Sequence, residues 1–306
     1  MNVLILGGNG FIGSHIVDAL LEAGFQVRIF ARQSSQISIN AEIFIGDFLD
    51  KAKLSEALIG IDAVIHCIST TVPATSALDP LNDVNTNLIG TIELLRLMHA
   101  QRIRRLIYLS SGGTVYGNPT RTPVHESTPL NPISNYGAVK VAIEKFIGVS
   151  QINQGILPTI VRPSNPYGER QGHKGVQGLI STVLHNYFKK LPTKIYGDGS
   201  VIRDYIYVKD VANLVTRMVD SEHCGVYNAG SGIGYSINQI ISTIEQITGS
   251  AVKREYAPSR GFDVKEIVLD SSLAHKEFKW KPETSIDVGI KMQYEWLKEK
   301  YGRTNR

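Results

Sequence analysis

Short β-branched runs alternate with helix-patterned stretches along the first 170 residues. Val3–Leu6, Val27–Ala31, Glu42–Ile45, Ala63–His66, Arg105–Ser110 and Pro158–Arg162 read as strands. Between them, Phe11–Glu22, Lys53–Leu58, Asn85–Gln101 and Asn135–Gln151 place apolar residues at helical spacing. Strand–helix alternation of this kind builds a parallel sheet with right-handed crossovers and helices on both faces. The pattern therefore predicts an α/β, Rossmann-type doubly wound domain over residues 1–170. Such sheets take ligands outside the carboxyl ends of their strands. Beyond residue 170 the pattern loosens: Val176–Lys190, Ile237–Thr248 and Ile286–Tyr301 read as helices, and Tyr205–Val208 as a strand. A smaller C-terminal α/β substrate lobe is expected over residues 171–306, with segments crossing back onto the first domain.

Composition narrows the class. Of 306 residues, 42% are hydrophobic and 20% charged, which suits a large core and excludes a disordered chain. No apolar run approaches the ~20 residues of a membrane span, and the N-terminus lacks a cleavable signal pattern, so a cytoplasmic location is expected. Cys67 and Cys224 stand far apart in apolar runs, which excludes a disulfide framework or a Cys-rich metal site, and no metal is expected. The net charge of +4 suits an anionic small ligand, while the lack of a basic tract argues against nucleic acid.

The chemistry begins at Gly7-Gly8-Asn9-Gly10-Phe11-Ile12-Gly13, set between a strand and an amphipathic helix. Gly7 makes the tight turn, Gly10 admits a pyrophosphate to the backbone, and Gly13 lets helix and strand approach closely. The helix opening at Phe11 and Ile12 offers amides and a positive dipole end to phosphate. Further on, Tyr136 and Lys140 share one helical face four residues apart. An ammonium beside a phenol favours the phenolate and suits Tyr136 to take or give a proton.

These strings occur in a telling order. Gly7–Gly13 is followed by Gly46-Asp47-Phe48, Asn87-Leu-Ile-Gly-Thr91 and Leu109-Ser-Ser-Gly-Gly-Thr-Val-Tyr-Gly117. Then come Tyr136–Lys140, Arg162-Pro-Ser-Asn165 and Arg203-Asp-Tyr-Ile-Tyr-Val-Lys-Asp-Val211. Together they resemble the extended short-chain dehydrogenase/reductase family, in particular its nucleotide-sugar epimerases, dehydratases and reductases. The resemblance spans essentially the whole chain.

The resemblance implies a bound NAD or NADP. Where many relatives carry an Asp at the end of the second strand, this chain has Ala31 followed by Arg32, an arrangement that tilts the choice toward NADP. Asp47, with Phe48 beside the ring, is expected at the adenine, and Asn87 among the cofactor contacts. A nucleotide-sugar diphosphate is expected at Asn165, Arg203 and Arg260, and the hexose at Ser69, Thr70 and Thr71. One departure stands out: the family's catalytic Ser or Thr falls here on Gly112, leaving Ser111 and Thr114 as replacements, with Thr114 preferred by reach. The resemblance also excludes neighbours. The acidic pair of the 4,6-dehydratases is replaced by Gly113 and Thr114, and the Cys of the epimerising reductases is absent at Thr114.

The expected activity is a UDP-hexose 4-epimerase working by transient oxidation at C4. The alternatives are an NADPH-dependent 4-keto-sugar reductase and a cofactor-sensing module without catalysis. A homodimer is expected through the helices Asn85–Gln101 and Asn135–Gln151.

Overall fold

The computed structural model describes residues 1–33, 40–172, 178–259 and 264–304. Thirteen strands follow in chain order: β1 Asn2–Leu6, β2 Gln26–Ala31, β3 Glu42–Ile45, β4 Ala63–His66, β5 Arg105–Leu109, β6 Leu157–Pro163, β7 Asn165–Tyr167, β8 Thr193–Tyr196, β9 Ile202–Tyr207, β10 Gly225–Ala229, β11 Gly234–Ser236, β12 Arg254–Ala257 and β13 Glu266–Ile267. The helices are α1 Phe11–Glu22, α2 Lys51–Ala57, α3 Pro73–Leu78, α4 Pro80–Asp83, α5 Gly90–Ala100, α6 Asn135–Gln154, α7 Leu179–Lys189, α8 Val208–Met218, α9 Ile237–Thr248, α10 Ser272–Phe278 and α11 Ile286–Thr304. Among the described residues, no helix is long and apolar enough to cross a membrane.

Seven parallel strands form the main sheet in the order β10-β6-β5-β4-β1-β2-β3. Strand alternation splits its side chains between two cores. Val3, Ile5, Ile29 and Ile65 pack under Ile16, Val17 and Leu20 of α1 and Val211, Leu214 and Val215 of α8. Leu4, Leu6, Val64, Leu106 and Tyr108 pack under Leu94 and Met98 of α5 and Ile143 and Ile147 of α6. The strand order reverses between β1 and β4, and a crevice opens there at the carboxyl ends. The remaining strands form a β11-β9-β13 sheet to which β7 adds through β9, and a β12-β8 pair; a third core joins α7, α9 and α11.

Several local readings change. Val208 opens α8 instead of closing a strand, and α8 and β10 went unread in the sequence although α8 buries Val211, Leu214, Val215 and Met218 at helical spacing. The helix expected from Val176 begins at Leu179, because Gly178 has φ 82° and ψ 95°, outside the helical region; Val176 itself lies outside the described residues. The helix expected over Asn85–Gln101 is interrupted: Val84–Ile89 is π-helical and only Gly90–Ala100 is regular α. Hydroxyls of Thr86 and Thr91 bond the carbonyls of Asn82 (2.7 Å) and Asn87 (2.6 Å), four residues back. Both bonds lie along the π-helical stretch and its entry into α5.

Candidate active site

The dinucleotide end is built by sterics. Gly7 sits at φ 83°, and its amide donates to the carbonyl of Phe30 at 3.1 Å, turning the chain off β1. A Cβ at Gly13 would lie 2.3 Å from the Gly7 oxygen, so only glycine lets α1 come this close to the turn. No side chain caps the first turn of α1, which leaves its amides pointing at the crevice. A pyrophosphate-bearing cofactor fits this cradle. At its rim, Arg32 is exposed beyond the end of β2, and Asp47 is exposed after β3 with Oδ1 accepting the Leu49 amide at 2.9 Å. Phe48 turns the other way: it is buried, its ring 5.1 Å from that of His66 and packed on Gly90. What the Asp47-Phe48 pair presents outward is therefore Asp47, and Phe48 is a core ring.

The catalytic wall is built by side chains. Tyr136 and Lys140 are both buried on α6, whose start is capped by Ser134 accepting the Gly137 amide. The Lys140 ammonium donates to the carbonyl of Leu109 at 3.1 Å and lies 4.9 Å from the ring centroid of Tyr108 and 5.7 Å from that of Tyr136. Burial lowers Lys140 to about 8, against the opposing pull of Asp83, Cys67 and Glu144. Burial also pushes the Tyr136 phenol up to about 12. In the chain alone, desolvation dominates this phenol.

Behind the wall, Arg162 and Glu144 form a buried ion pair at 2.6 Å and 3.0 Å. Ser110 donates to Glu144, Arg162 donates to the Tyr116 hydroxyl at 2.8 Å, and Tyr116 donates to Asn228 of β10 at 2.7 Å. This network fastens α6 to β5, β6 and β10.

The missing hydroxyl has a steric reason. A Cβ at Gly112 would meet Leu269 at 2.5 Å and the carbonyl of Arg162 at 2.9 Å, so that position faces packed chain. Ser111, Gly113 and Thr114 face a cavity of about 630 Å³ together with Tyr136. The Thr114 hydroxyl is buried and makes no hydrogen bond among the described residues.

The same cavity reaches Asn165 and Arg203, then Asn186, Lys194, Tyr196 and Tyr205. Asn165 is anchored by donating to the carbonyl of Asp204 at 2.8 Å. Arg203 donates to the carbonyl of Ile202 at 2.9 Å. Arg260 lies outside the described residues. The Ser69–Thr71 loop does not line the cavity with its hydroxyls: Thr70 and Thr71 accept from Asn87 at 2.9 Å and 3.2 Å, and Pro73 and Ala74 form the wall. Asn87 is thus a buried clamp on that loop, also accepting the Thr70 amide at 3.0 Å. Sequence reasoning missed Asn186 and Lys194; the exposed Lys194 between buried Thr193 and Ile195 on β8 was the available signal.

The sequence pattern of the NAD dependent epimerase/dehydratase family matches residues 3–230. A Methanocaldococcus jannaschii protein assigned as a UDP-glucose 4-epimerase is 36% identical over 304 residues, covering 97% of this chain and 98% of its own. A UDP-glucose 4-epimerase from Thermotoga maritima, solved with UDP-glucose, superposes with a TM-score of 0.93 at 31% identity, covering 98% of this chain and 99% of its own. The Thermus thermophilus UDP-glucose 4-epimerase, solved with NAD, gives 0.92 at 30% identity, covering 97% and 99%. With the glycine cradle, the Tyr136–Lys140 wall and matches running nearly end to end, the chain belongs to the NAD-dependent epimerase/dehydratase family.

Proposed function

We propose that this protein is a nucleotide-sugar 4-epimerase of the UDP-hexose type, using Tyr136 to move a proton on the C4 hydroxyl. The observation that carries the reading is one continuous cavity. It is lined by Ser111, Thr114 and Tyr136 and also by Arg203, Lys194 and Asn186, a set that suits a neutral sugar joined to an anionic diphosphate. A nicotinamide held here would supply the acceptor and donor of hydride at C4, and its positive charge would favour the Tyr136 phenolate. Lys140 holds its ammonium beside that phenol, and the Ser111 or Thr114 hydroxyl donates to the substrate oxygen. Residues 171–306, apart from α8 and β10, serve as the lobe that holds the sugar nucleotide. The test is purified protein given UDP-glucose or UDP-galactose without added reductant. Interconversion of the two is expected, whereas inertness toward C4 epimers with turnover of a 4-keto sugar at the expense of NADPH overturns the reading.

NAD is the working cofactor by likeness to the NAD-bound neighbour. Ala31 and Arg32 leave room for NADP, since no carboxylate there repels a 2′-phosphate and a guanidinium stands ready for it. Arg32→Ala is expected to weaken NADP roughly ten- to hundredfold and leave NAD nearly unchanged, one charge-assisted contact being worth ~1.5–3 kcal/mol. Equal titration curves for both cofactors before and after the change remove Arg32 from this role. The exposed Ile89 of the π-helical segment and Phe146 and Val149 of α6 support a homodimer through the Asn85–Gln101 and Asn135–Gln151 helices. Light scattering that gives only monomer at micromolar concentration rejects it.

A further inference from the structure

The cavity draws its walls from two sheets. Ser111 and Thr114 follow β5 of the main sheet, whereas Arg203 and Tyr205 lie on β9 of the smaller one. Between those two β9 residues stands Asp204, which strand alternation turns to the opposite face and which is 0% exposed. Its Oδ1 accepts from the Ser231 amide at 2.8 Å, the Ser231 hydroxyl at 2.7 Å and the Ser164 hydroxyl at 3.2 Å. Its Oδ2 accepts from the amides of Leu269 at 3.1 Å and Gly232 at 3.2 Å. Ser164 joins β6 to β7, Ser231 and Gly232 follow β10, and Leu269 follows β13.

The same residue serves the cavity through its main chain, since its carbonyl accepts from the cavity residue Asn165 at 2.8 Å. Leu269, held by the carboxylate, is the side chain that fills the space beside Gly112, next to Ser111. A missing atom makes the seat. A Cβ at Gly230 would lie 2.3 Å from the Asp204 Oδ2 and 2.9 Å from the Leu269 Cβ.

We propose that Asp204 is a positioning residue of the sugar-nucleotide site and that Gly230 provides the space it needs. The carboxylate locks β9 to the ends of β6 and β10, and so sets Arg203 and Asn165 at a fixed reach from Ser111, Thr114 and Tyr136. The effect on substrate affinity rests on the epimerase reading; the fastening of β9 does not. Asp204→Asn keeps the size and removes an acceptor. Whichever way the new amide is turned, its NH2 meets a main-chain N–H, of Ser231 on one side or of Leu269 and Gly232 on the other, and neither group can accept. Gly230→Ala breaks the same contact from outside, because its methyl displaces Oδ2 while the carboxylate stays.

The test is hydrogen exchange of the whole protein with NAD supplied, read beside steady-state kinetics. In both variants the amides of β7 and β9 should exchange about tenfold faster or more, while those of β1 and β2 keep their wild-type rates. The KM for UDP-glucose should rise roughly tenfold, with kcat and NAD affinity nearly unchanged, as expected when substrate positioning alone is lost. The double variant should be no worse than the worse single one, since both changes remove one contact. If neither variant folds, Ser231→Ala, which deletes the 2.7 Å hydroxyl bond, is read the same way with a smaller effect. In a folded variant, unmoved exchange at β7 and β9 overturns the proposal, and so does an unmoved KM in an active one. Equal losses at β1 and in NAD affinity also overturn it, because Asp204 would then support the whole core. Exchange needs no sugar nucleotide, so a wild type inert toward UDP-glucose counts against the epimerase reading alone.

Discussion

The two ends of the crevice are made by different means. At the β1–α1 turn the protein uses backbone: one glycine at positive φ, another whose missing Cβ leaves 2.3 Å of space, and amides without side-chain caps. At the β5–α6 wall it uses buried polar side chains, each bonded to others from distant strands and helices. The first arrangement is local in sequence and tolerates no added atom. The second is assembled from afar and depends on every partner being present. A phosphate cradle needs only direction and close approach, whereas proton transfer needs side chains held in a fixed charge state.

The sharpest break in this comparison is Tyr136→Phe. It deletes the proton carrier yet leaves the glycine turn untouched, so turnover should fall by ~10²–10⁴-fold with cofactor affinity retained. Rates near wild type, measured alongside cofactor titration, would sink the assigned role.

Glu144→Gln comes next. It strands the Arg162 charge inside a wall where each side chain of the pair is 4% exposed, and breaking such a pair costs about 3–5 kcal/mol. Chemical denaturation should read that loss. Glu144→Leu with Arg162→Met should be less destabilised than either single change, because neither charge is then left alone. Simple additivity of the two changes would show that the pair is not coupled.

This difference also decides what could be read from sequence. The main-sheet strands and the glycine turn were legible because their determinants lie within a few residues of each other. Tyr136 and Lys140 were legible because four residues on a helix is one face. Asp83, buried at the end of α4, gave no signal, since its bonds to Ser76 and Asn87 follow from the fold and not from a motif. The π-helical stretch was read as plain α-helix because its apolar spacing continues into α5. Thr70 and Thr71 were expected at the hexose because the resemblance places a substrate loop there, but their hydroxyls accept from Asn87. Gly112 looked like a lost hydroxyl until the fold placed Leu269 against it.

Gly13→Ala probes the backbone end. The added methyl would overlap the Gly7 oxygen, which is main chain and has no rotamer to yield, so the turn must open. Overpacking of this sort costs ~1–3 kcal/mol in stability, and cofactor affinity should fall by about tenfold or more as the cradle widens. Thermal unfolding and cofactor titration read the two effects. Unchanged affinity would mean that the pyrophosphate does not depend on this turn.

The smallest effect lies away from both ends and asks whether the wall's bonding is what makes buried polarity tolerable. Gln293 on α11 is 0% exposed, yet neither its amide nitrogen nor its oxygen has a hydrogen-bond partner among the described residues. It sits on the same helix as Ile290 and Leu297, which belong to the third core. A buried amide without partners forfeits ~1–3 kcal/mol of solvation, and Leu fills nearly the same volume with none to lose. Gln293→Leu should therefore stabilise the fold by about 1 kcal/mol and leave turnover unchanged, while Glu144→Gln in the bonded wall moves stability the opposite way. Denaturation of the two variants in parallel reads the contrast. A destabilised Gln293→Leu would mean that this glutamine is bonded in solution, and that unpaired polarity is not what separates the C-terminal core from the catalytic wall.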